Sequence, residues 1–384
     1  MLIAHISDIH LGYSQFNLEE REEDVYDAFD QAINASVKEK VKIVILAGDL
    51  FHMPKPQGEA IVRFADALKK LKELNIKTFF VLGEHDISRT RGVPVPYVFH
   101  NLGYAYYLRN GEPYEIDGTL LIGFDKYRNS EMDDLSLRLK EADRRAKAFS
   151  GRRILVLHQG LFDFSRMAGE INSSDLPPNF NYYAMGHYHD RHERRFEHLG
   201  GPLAYPGSLE ITSSESIRET DKGFYLVDTS RNEALLNWIK LEIRPQVAVQ
   251  ITYDHIRKQI EELVLKIKSL KKKPILSTKV KGQNIDSGVI AENLSKLNDL
   301  VLHHVWEPIE EKQVSLSVYH EKPSDMDSEM LNKSKEVLGS DELAEFAIQE
   351  LLPLLAENKI DEACALAWKV YENSRFQGRG FNLQ

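Results

Sequence analysis

Apolar residues in the first two thirds of the chain alternate between two patterns. Short continuous apolar runs occupy residues 2–7, 42–47 (KIVILA), 77–82 (KTFFVL), 120–124, 154–158, 182–185, 224–227 and 235–241. Runs of this length, rich in β-branched residues and apolar on both faces, predict buried strands. Between the first of them, residues 18–40 place Val25, Phe29, Ala32, Ile33 and Val37 at helical spacing, and residues 58–74 read as a second helix. Alternation of strand and helix predicts an α/β sandwich whose sheets are flanked by helices.

The pattern changes after Arg244 and Pro245. Residues 246–325 hold strand-like runs and one amphipathic helix, predicted over 253–272 with Ile256, Ile260, Leu263, Val264 and Ile267 on one side. They read as a small α+β domain beside a main domain of residues 1–245. A polar, aperiodic stretch then places a linker at 326–340. Two amphipathic helices follow within 341–384, the first over 341–357 and the second over 360–373. A hairpin this small cannot bury its apolar stripes unaided, so it either packs back on the core or, as expected for Leu343, Phe346, Leu351, Leu354, Leu355 and Tyr371, docks on a partner.

At 384 residues and 44.1 kDa the chain has room for two or three domains. Its one cysteine, Cys364, excludes an internal disulfide framework and any Cys₄ or Cys₂His₂ zinc module. No secretory leader and no membrane span are expected, which places the protein in the cytoplasm. The net charge of 49 − 59 = −10 argues against a generally basic nucleic-acid coat. Dividing the charge changes that picture. Residues 326–384 carry eleven Asp/Glu against six Lys/Arg, whereas residues 257–281 carry nine Lys/Arg against two Glu. The basic stretch, with Arg257, Lys258, Lys266, Lys271, Lys272 and Lys273, is a candidate phosphate-backbone contact. A solvated helix face is the plainer alternative.

Candidate chemistry concentrates where strands end. Asp8 and His10 follow the first strand, and residues at i and i+2 can reach one ion. Asp49 and His52 follow KIVILA, Glu84-His85-Asp86 follows KTFFVL, His158 ends its strand, and His187 and His189 follow residues 182–185. Sites in open α/β sheets lie outside the carboxyl ends of strands. A lone strand-end Asp or His is usually structural, but six of the 14 histidines gather here. Asp8, His10, Asp49, Glu84, His158, His187 and His189 exceed the needs of one tetrahedral zinc. They suit two ions roughly 3.5–4 Å apart. Carboxylate and imidazole without thiolate fit manganese, iron or zinc.

The series DIH, GD, GEHD, H and GHYH, in that order, resembles the calcineurin-like metallophosphoesterases. The segments HISDIHLGYSQFNLEEREEDVYDAF, ILAGDLFHMPKP, RTRG and YPGSLEITSSES narrow the resemblance to the Mre11/SbcD family of DNA double-strand-break repair nucleases, archaeal in length. That resemblance implies a metallophosphoesterase β-sandwich flanked by helices, with a capping domain at 246–325 that contacts DNA. It implies two Mn²⁺ per chain, with Mg²⁺, Fe²⁺ or Zn²⁺ as other occupants. Asp8, His10, Asp49 and His189 would hold one ion, and Asp49, Glu84, His158 and His187 the other. His85 would protonate the leaving oxygen with Asp86 orienting its ring, and His52 would touch phosphate. Apart from the resemblance, Arg89 and Arg91 are weaker DNA-contact candidates flanking the site. The implied activity is 3′→5′ exonuclease on duplex ends and endonuclease on single strands and hairpins. The implied partners are DNA ends, a second copy met through residues 58–74 and 93–102, and a Rad50/SbcC-type ABC ATPase bound by the helical tail, in association with the nucleoid. One departure stands out. Glu84 occupies the position where the family usually has asparagine. Two rivals remain open: a DNA-end tether with weak catalysis, and another calcineurin-like phosphodiesterase.

Overall fold

The computed structural model describes residues 1–88, 92–166, 168–212, 221–231, 233–310, 334–335, 338, 340–352, 354 and 363–370. The chain divides into two compact units, Met1–Lys312 and Gln313–Gln384.

In the first unit, β1 (Leu2–Ile6), β2 (Ile43–Ala47), β3 (Lys77–Val81) and β4 (Tyr106–Tyr107) pair in parallel, with Ile3 opposite Ile43 and Ile43 opposite Lys77. The second sheet contains β5 (Tyr114–Ile116), β6 (Thr119–Phe124), β7 (Arg152–His158), β8 (Tyr182–Gly186), β9 (His192–Arg194) and β10 (Leu203–Tyr205), in the order β5-β6-β7-β8-β10-β9. The chain then returns to the first sheet as β11 (Gly223–Asp228) and β12 (Leu235–Lys240), antiparallel beside β1.

The two-residue period of a strand explains the layering. Ile3, Ile43, Ile45, Phe79 and Val81 face inward and meet Leu121, Ile154, Val156 and Tyr182 of the second sheet. Their neighbours Ala4, Ile6, Val44 and Leu46 face outward, under α1 (Glu19–Lys38) and α2 (Gly58–Glu73). After the short α3 (Pro96–Asn101), α4 (Met132–Ala148) covers the second sheet through Leu135, Leu139, Ala142 and Ala146. That helix escaped the sequence reading because charge surrounds its narrow apolar stripe.

A third, parallel sheet of β13 (Gln246–Thr252), β14 (Ile275–Gly282) and β15 (His303–Glu310) packs against α5 (Ile256–Lys268) and α6 (Ser287–Leu294). The helix predicted over 253–272 stops at Lys268. Pro274 disfavours helical backbone in the residue before it. Lys272 also reaches back to Asp24 and Asp27 at 3.1 Å each. The seam to the main sandwich contains further polar pairing. Arg244 engages Asp24, Gln246 donates to Gln15 at 3.0 Å, and Phe16 stacks on His303.

In the second unit, Ser340 Oγ accepts the amide of Leu343 and caps α7 (Asp341–Phe346), a position that favours serine. The helix continues as a wider turn over Ala347–Leu351. Residues 363–370 are helical. Leu343, Phe346, Leu351 and Leu354 are half-buried, whereas Leu355 and Tyr371 lie outside the described residues, as does most of the expected linker. Among the described residues, no helix is long and apolar enough to cross a membrane.

Candidate metal centre

The loops leaving β1, β2, β3, β7 and β8 converge at one edge of the sandwich. Backbone bonds set their spacing: Asp8 N donates to Gly48 O at 3.1 Å and His10 N to Asp49 O at 3.0 Å. Asp8, His10 and Asp49 adopt φ of 50–52°, and His187 adopts 105°. Such conformations cost roughly 1–3 kcal/mol each and persist where surrounding structure enforces them. Gly48 is required here: its φ is +89°, and a Cβ would lie 2.2 Å from His158 Nδ1.

The side chains form two groups that Asp49 joins. Asp8, His10, Asp49 and His189 bring ligand atoms within 4.8 Å of one another, and so do Glu84, His158 and His187. His10 Nε2 is 3.0 Å from His189 Nε2 and 3.7 Å from Asp49 Oδ2. His158 Nε2 is 3.5 Å from Asp49 Oδ2 and 2.8 Å from Glu84 Oε2. His187 Nδ1 is 2.9 Å from Glu84 Oε1. Glu84 therefore shares the His158 imidazole with Asp49 and also reaches His187.

Several contacts outside the groups fix the rings, as partners of metal-bound histidines do. His158 Nδ1 donates to Ala47 O at 2.7 Å. His189 Nδ1 meets Thr212 Oγ1 at 2.9 Å, and Lys222 Nζ donates to His189 O at 2.7 Å. Asp8 accepts the amide of His187 at 3.1 Å, and Asp49 Oδ1 accepts that of His85 at 2.9 Å.

These residues fit divalent cations. A carbonyl only accepts, so His158 Nδ1 carries a hydrogen and the neutral ring turns a lone pair toward two carboxylates. Burial opposes charge on His158, but Asp49 and Glu84 override it and raise its pKa well above the usual imidazole range. Burial pushes Asp8 up to about 6 and His189 down to about 4. His158 and His187 hold Glu84 far below the carboxylate range despite burial. Protons occupy positions that bound cations would take, because ligation requires deprotonated groups.

The structure corrects two expectations. Asp86 does not orient the His85 ring. Its carboxylate accepts the amides of Leu50, Phe51 and Gly83 at 3.0–3.1 Å, and burial together with the Asp49 charge pushes it up to about 7. His85 Nδ1 donates instead to the backbone oxygen of His52 at 2.8 Å, and the two rings stack at 5.2 Å. Lys272 is committed to Asp24 and Asp27, so it ties the third sheet to the sandwich and is not a free phosphate contact. Arg257, Lys258, Lys266 and Lys273 are exposed, as is Lys271, which pairs with Glu242 at 3.1 Å. Arg89 and Arg91 lie outside the described residues.

Sequence reasoning missed Lys126. Its ammonium lies 2.6 Å from Glu170 Oε2 and 3.4 Å from both ring nitrogens of His187. It follows β6, so the strand-end rule that found the other residues also pointed to it.

Two α/β sheets with a double cluster of carboxylates and imidazoles at their carboxyl edge define a dimetal phosphoesterase. In agreement, residues 1–191 match the calcineurin-like phosphoesterase family. Three archaeal relatives carry the name DNA double-strand break repair protein Mre11. That of Saccharolobus solfataricus is 34% identical, over 79% of this chain and 81% of its own length. That of Methanocaldococcus jannaschii is 35% identical, over 74% and 77%. That of Thermoplasma acidophilum is 32% identical, over 90% and 92%. The chain belongs to the Mre11 family, and it is a metal-dependent phosphodiesterase.

Proposed function

We propose that the protein is a manganese-dependent DNA nuclease of double-strand-break repair, acting as 3′→5′ exonuclease on duplex ends and as endonuclease on single strands and hairpins. The observation that supports this reading is the pair of carboxylate–imidazole groups on either side of Asp49, with His85 beside them, which the family resemblance makes a non-ligand. Asp8, His10, Asp49 and His189 would hold one ion, and Asp49, Glu84, His158 and His187 the other. Metal held there would activate water for attack and offset charge on the phosphodiester oxygens.

His85 Nδ1–H donates to the carbonyl of His52, which fixes the ring and leaves Nε2 as the nitrogen that would give a proton to the departing 3′-oxygen. The half-buried His52 ring supports that geometry by stacking on His85 and would meet the phosphate. Exposed Arg257, Lys258 and Lys266 on the third sheet's domain, residues 246–325 as read from the sequence, are the candidates for tracking the DNA backbone.

Val62, Val93, Val98 and Leu102 are apolar and exposed on or beside α2 and α3, which supports a homodimer formed there. The half-buried apolar residues of α7 and its continuation support docking of the tail on a Rad50-type ABC ATPase.

End-labelled linear duplex incubated with manganese, and in parallel with EDTA, tests the activity. Manganese-dependent release of mononucleotides that disappears in His85→Ala is expected. Tight end binding without release favours a tether.

A further inference from the structure

A cavity of about 1300 Å³ opens beside the metal centre, with Glu84, His85, Lys126 and Glu170 on its wall. Lys126 is the unexpected member. A cation 3.4 Å from an imidazole that is to bind a divalent ion is repelled by that ion, so a purely structural lysine is costly at this position. Yet it is held there firmly. Its side chain is only 10% exposed, and its amide donates to Leu82 O. Glu170 Oε2 is itself fixed by Gln159 Nε2 at 2.8 Å and Gly160 N at 3.1 Å. The ammonium has three donors. One serves Glu170, and the others remain on the side of His187 and the cavity.

The charge at Glu84 gives this arrangement a purpose. Two divalent ions against Asp8, Asp49 and Glu84 leave one positive charge. A hydroxide and a phosphodiester each bring one negative charge, so the loaded site falls one positive charge short. With an uncharged amide at 84 the count would balance. We propose that Lys126 is a substrate-binding residue. It donates to a non-bridging oxygen of the phosphodiester; its pair with Glu170 is neutral overall, so it turns a local positive end toward the site and offsets only part of the charge that Glu84 adds.

The inference rests on phosphodiester hydrolysis at the two-ion centre and not on DNA as the substrate. Lys126→Met, Lys126→Arg, Glu170→Gln, Glu84→Asn and the Glu84→Asn/Lys126→Met double variant are compared with wild type by Mn²⁺ titration calorimetry and by kcat/KM on bis(p-nitrophenyl) phosphate. Lys126→Met leaves Glu170 with Gln159 and Gly160, so the fold has no orphaned carboxylate. Mn²⁺ affinity should rise several-fold to about tenfold as a like charge is lost, while kcat/KM falls by roughly tenfold or more. Lys126→Arg should recover most of kcat/KM. Glu170→Gln uncovers the ammonium charge and should shift both quantities the other way, weaker Mn²⁺ binding with equal or higher kcat/KM. In a Glu84→Asn background, Lys126→Met should cost under about threefold, a coupling that neighbouring charges show. Loss of Mn²⁺ affinity in both Lys126→Met and Glu170→Gln would make the pair a structural bridge and overturn the proposal. So would an equal kcat/KM loss with Glu84 or Asn at 84. Turnover of the small phosphodiester without any cutting of DNA would sink the nuclease reading and leave the role of Lys126 standing.

Discussion

Glu84 Oε2 lies 2.8 Å from His158 Nε2, while the other nitrogen of that ring is committed to Ala47 O. Without a cation between them, the Asp49 and Glu84 carboxylates favour the protonated form of this ring over the opposing effect of burial. A metal ion therefore competes with a proton for this nitrogen. Mn²⁺ binding should release protons, and affinity should weaken as pH falls, because acid favours the protonated ring. Calorimetry in two buffers of different ionisation enthalpy measures the release. An identical apparent enthalpy in both at pH 7 would rule it out.

Replacing Glu84 by asparagine keeps an oxygen for the ion and removes a charge. Mn²⁺ affinity should then drop by about tenfold, in line with other changes around ligands. Nuclease turnover at saturating Mn²⁺ should rise, since a less neutralised ion polarises the phosphodiester more strongly. Single-turnover cleavage of a labelled hairpin measures this, and an unchanged or lower rate refutes it.

The two sheets and the clustering of strand-end carboxylates and imidazoles were legible because each apolar run was short, buried on both faces and followed by its chemistry. Asp8, His10, Asp49, Glu84, His158, His187 and His189 come together in the fold. Three kinds of information were not legible. The left-handed backbone of Asp8, His10 and Asp49 leaves no trace in residue types that adopt it readily. The partner of the His85 ring is a backbone carbonyl, which no motif encodes. The fate of Lys272 depends on Asp24, 248 residues away in sequence, so composition alone made it look free.

Asp86 buttresses the loops after β2 and β3, so its removal should act through structure. Asp86→Ala strips three amides of their acceptor and should cost roughly 1–3 kcal/mol for each that stays dry. Urea unfolding with EDTA reads the loss. The pH–rate profile of residual cleavage should keep its wild-type shape. A displaced acidic limb would instead restore Asp86 to proton transfer through His85.

Arg21 is fully buried and donates to Gln15, Asp24, Glu210 and Ile211 O, at 2.7–3.2 Å. Asp24 also takes Arg244, just before the third sheet, and Lys272 from the segment that carries that sheet. Breaking such a pair strands a buried charge and typically costs about 3–5 kcal/mol. Arg21→Met should lose that much in urea unfolding, whereas Lys271→Ala, at an 84% exposed side chain, should change almost nothing. Proteolysis should also open the segment around Pro245 sooner in Arg21→Met. Equal stability of the two variants would contradict the seam.

Asp125 accepts the amide of Leu82 and the hydroxyl of Tyr107, and burial pushes its pKa from 3.8 up to about 6. A carboxyl raised on folding binds more protons in the native state than in the unfolded chain. Its contribution to stability is therefore greatest below pH 4, declines as pH rises from about 4 to about 6, and is flat above. Two pKa units correspond to about 3 kcal/mol. Asp125→Asn keeps an acceptor for Leu82 and removes the titration. The stability of wild type relative to this variant, measured by urea unfolding in EDTA, should thus fall by up to about 3 kcal/mol between pH 4 and pH 6.5. A difference that is constant with pH would show that Asp125 titrates alike in both states.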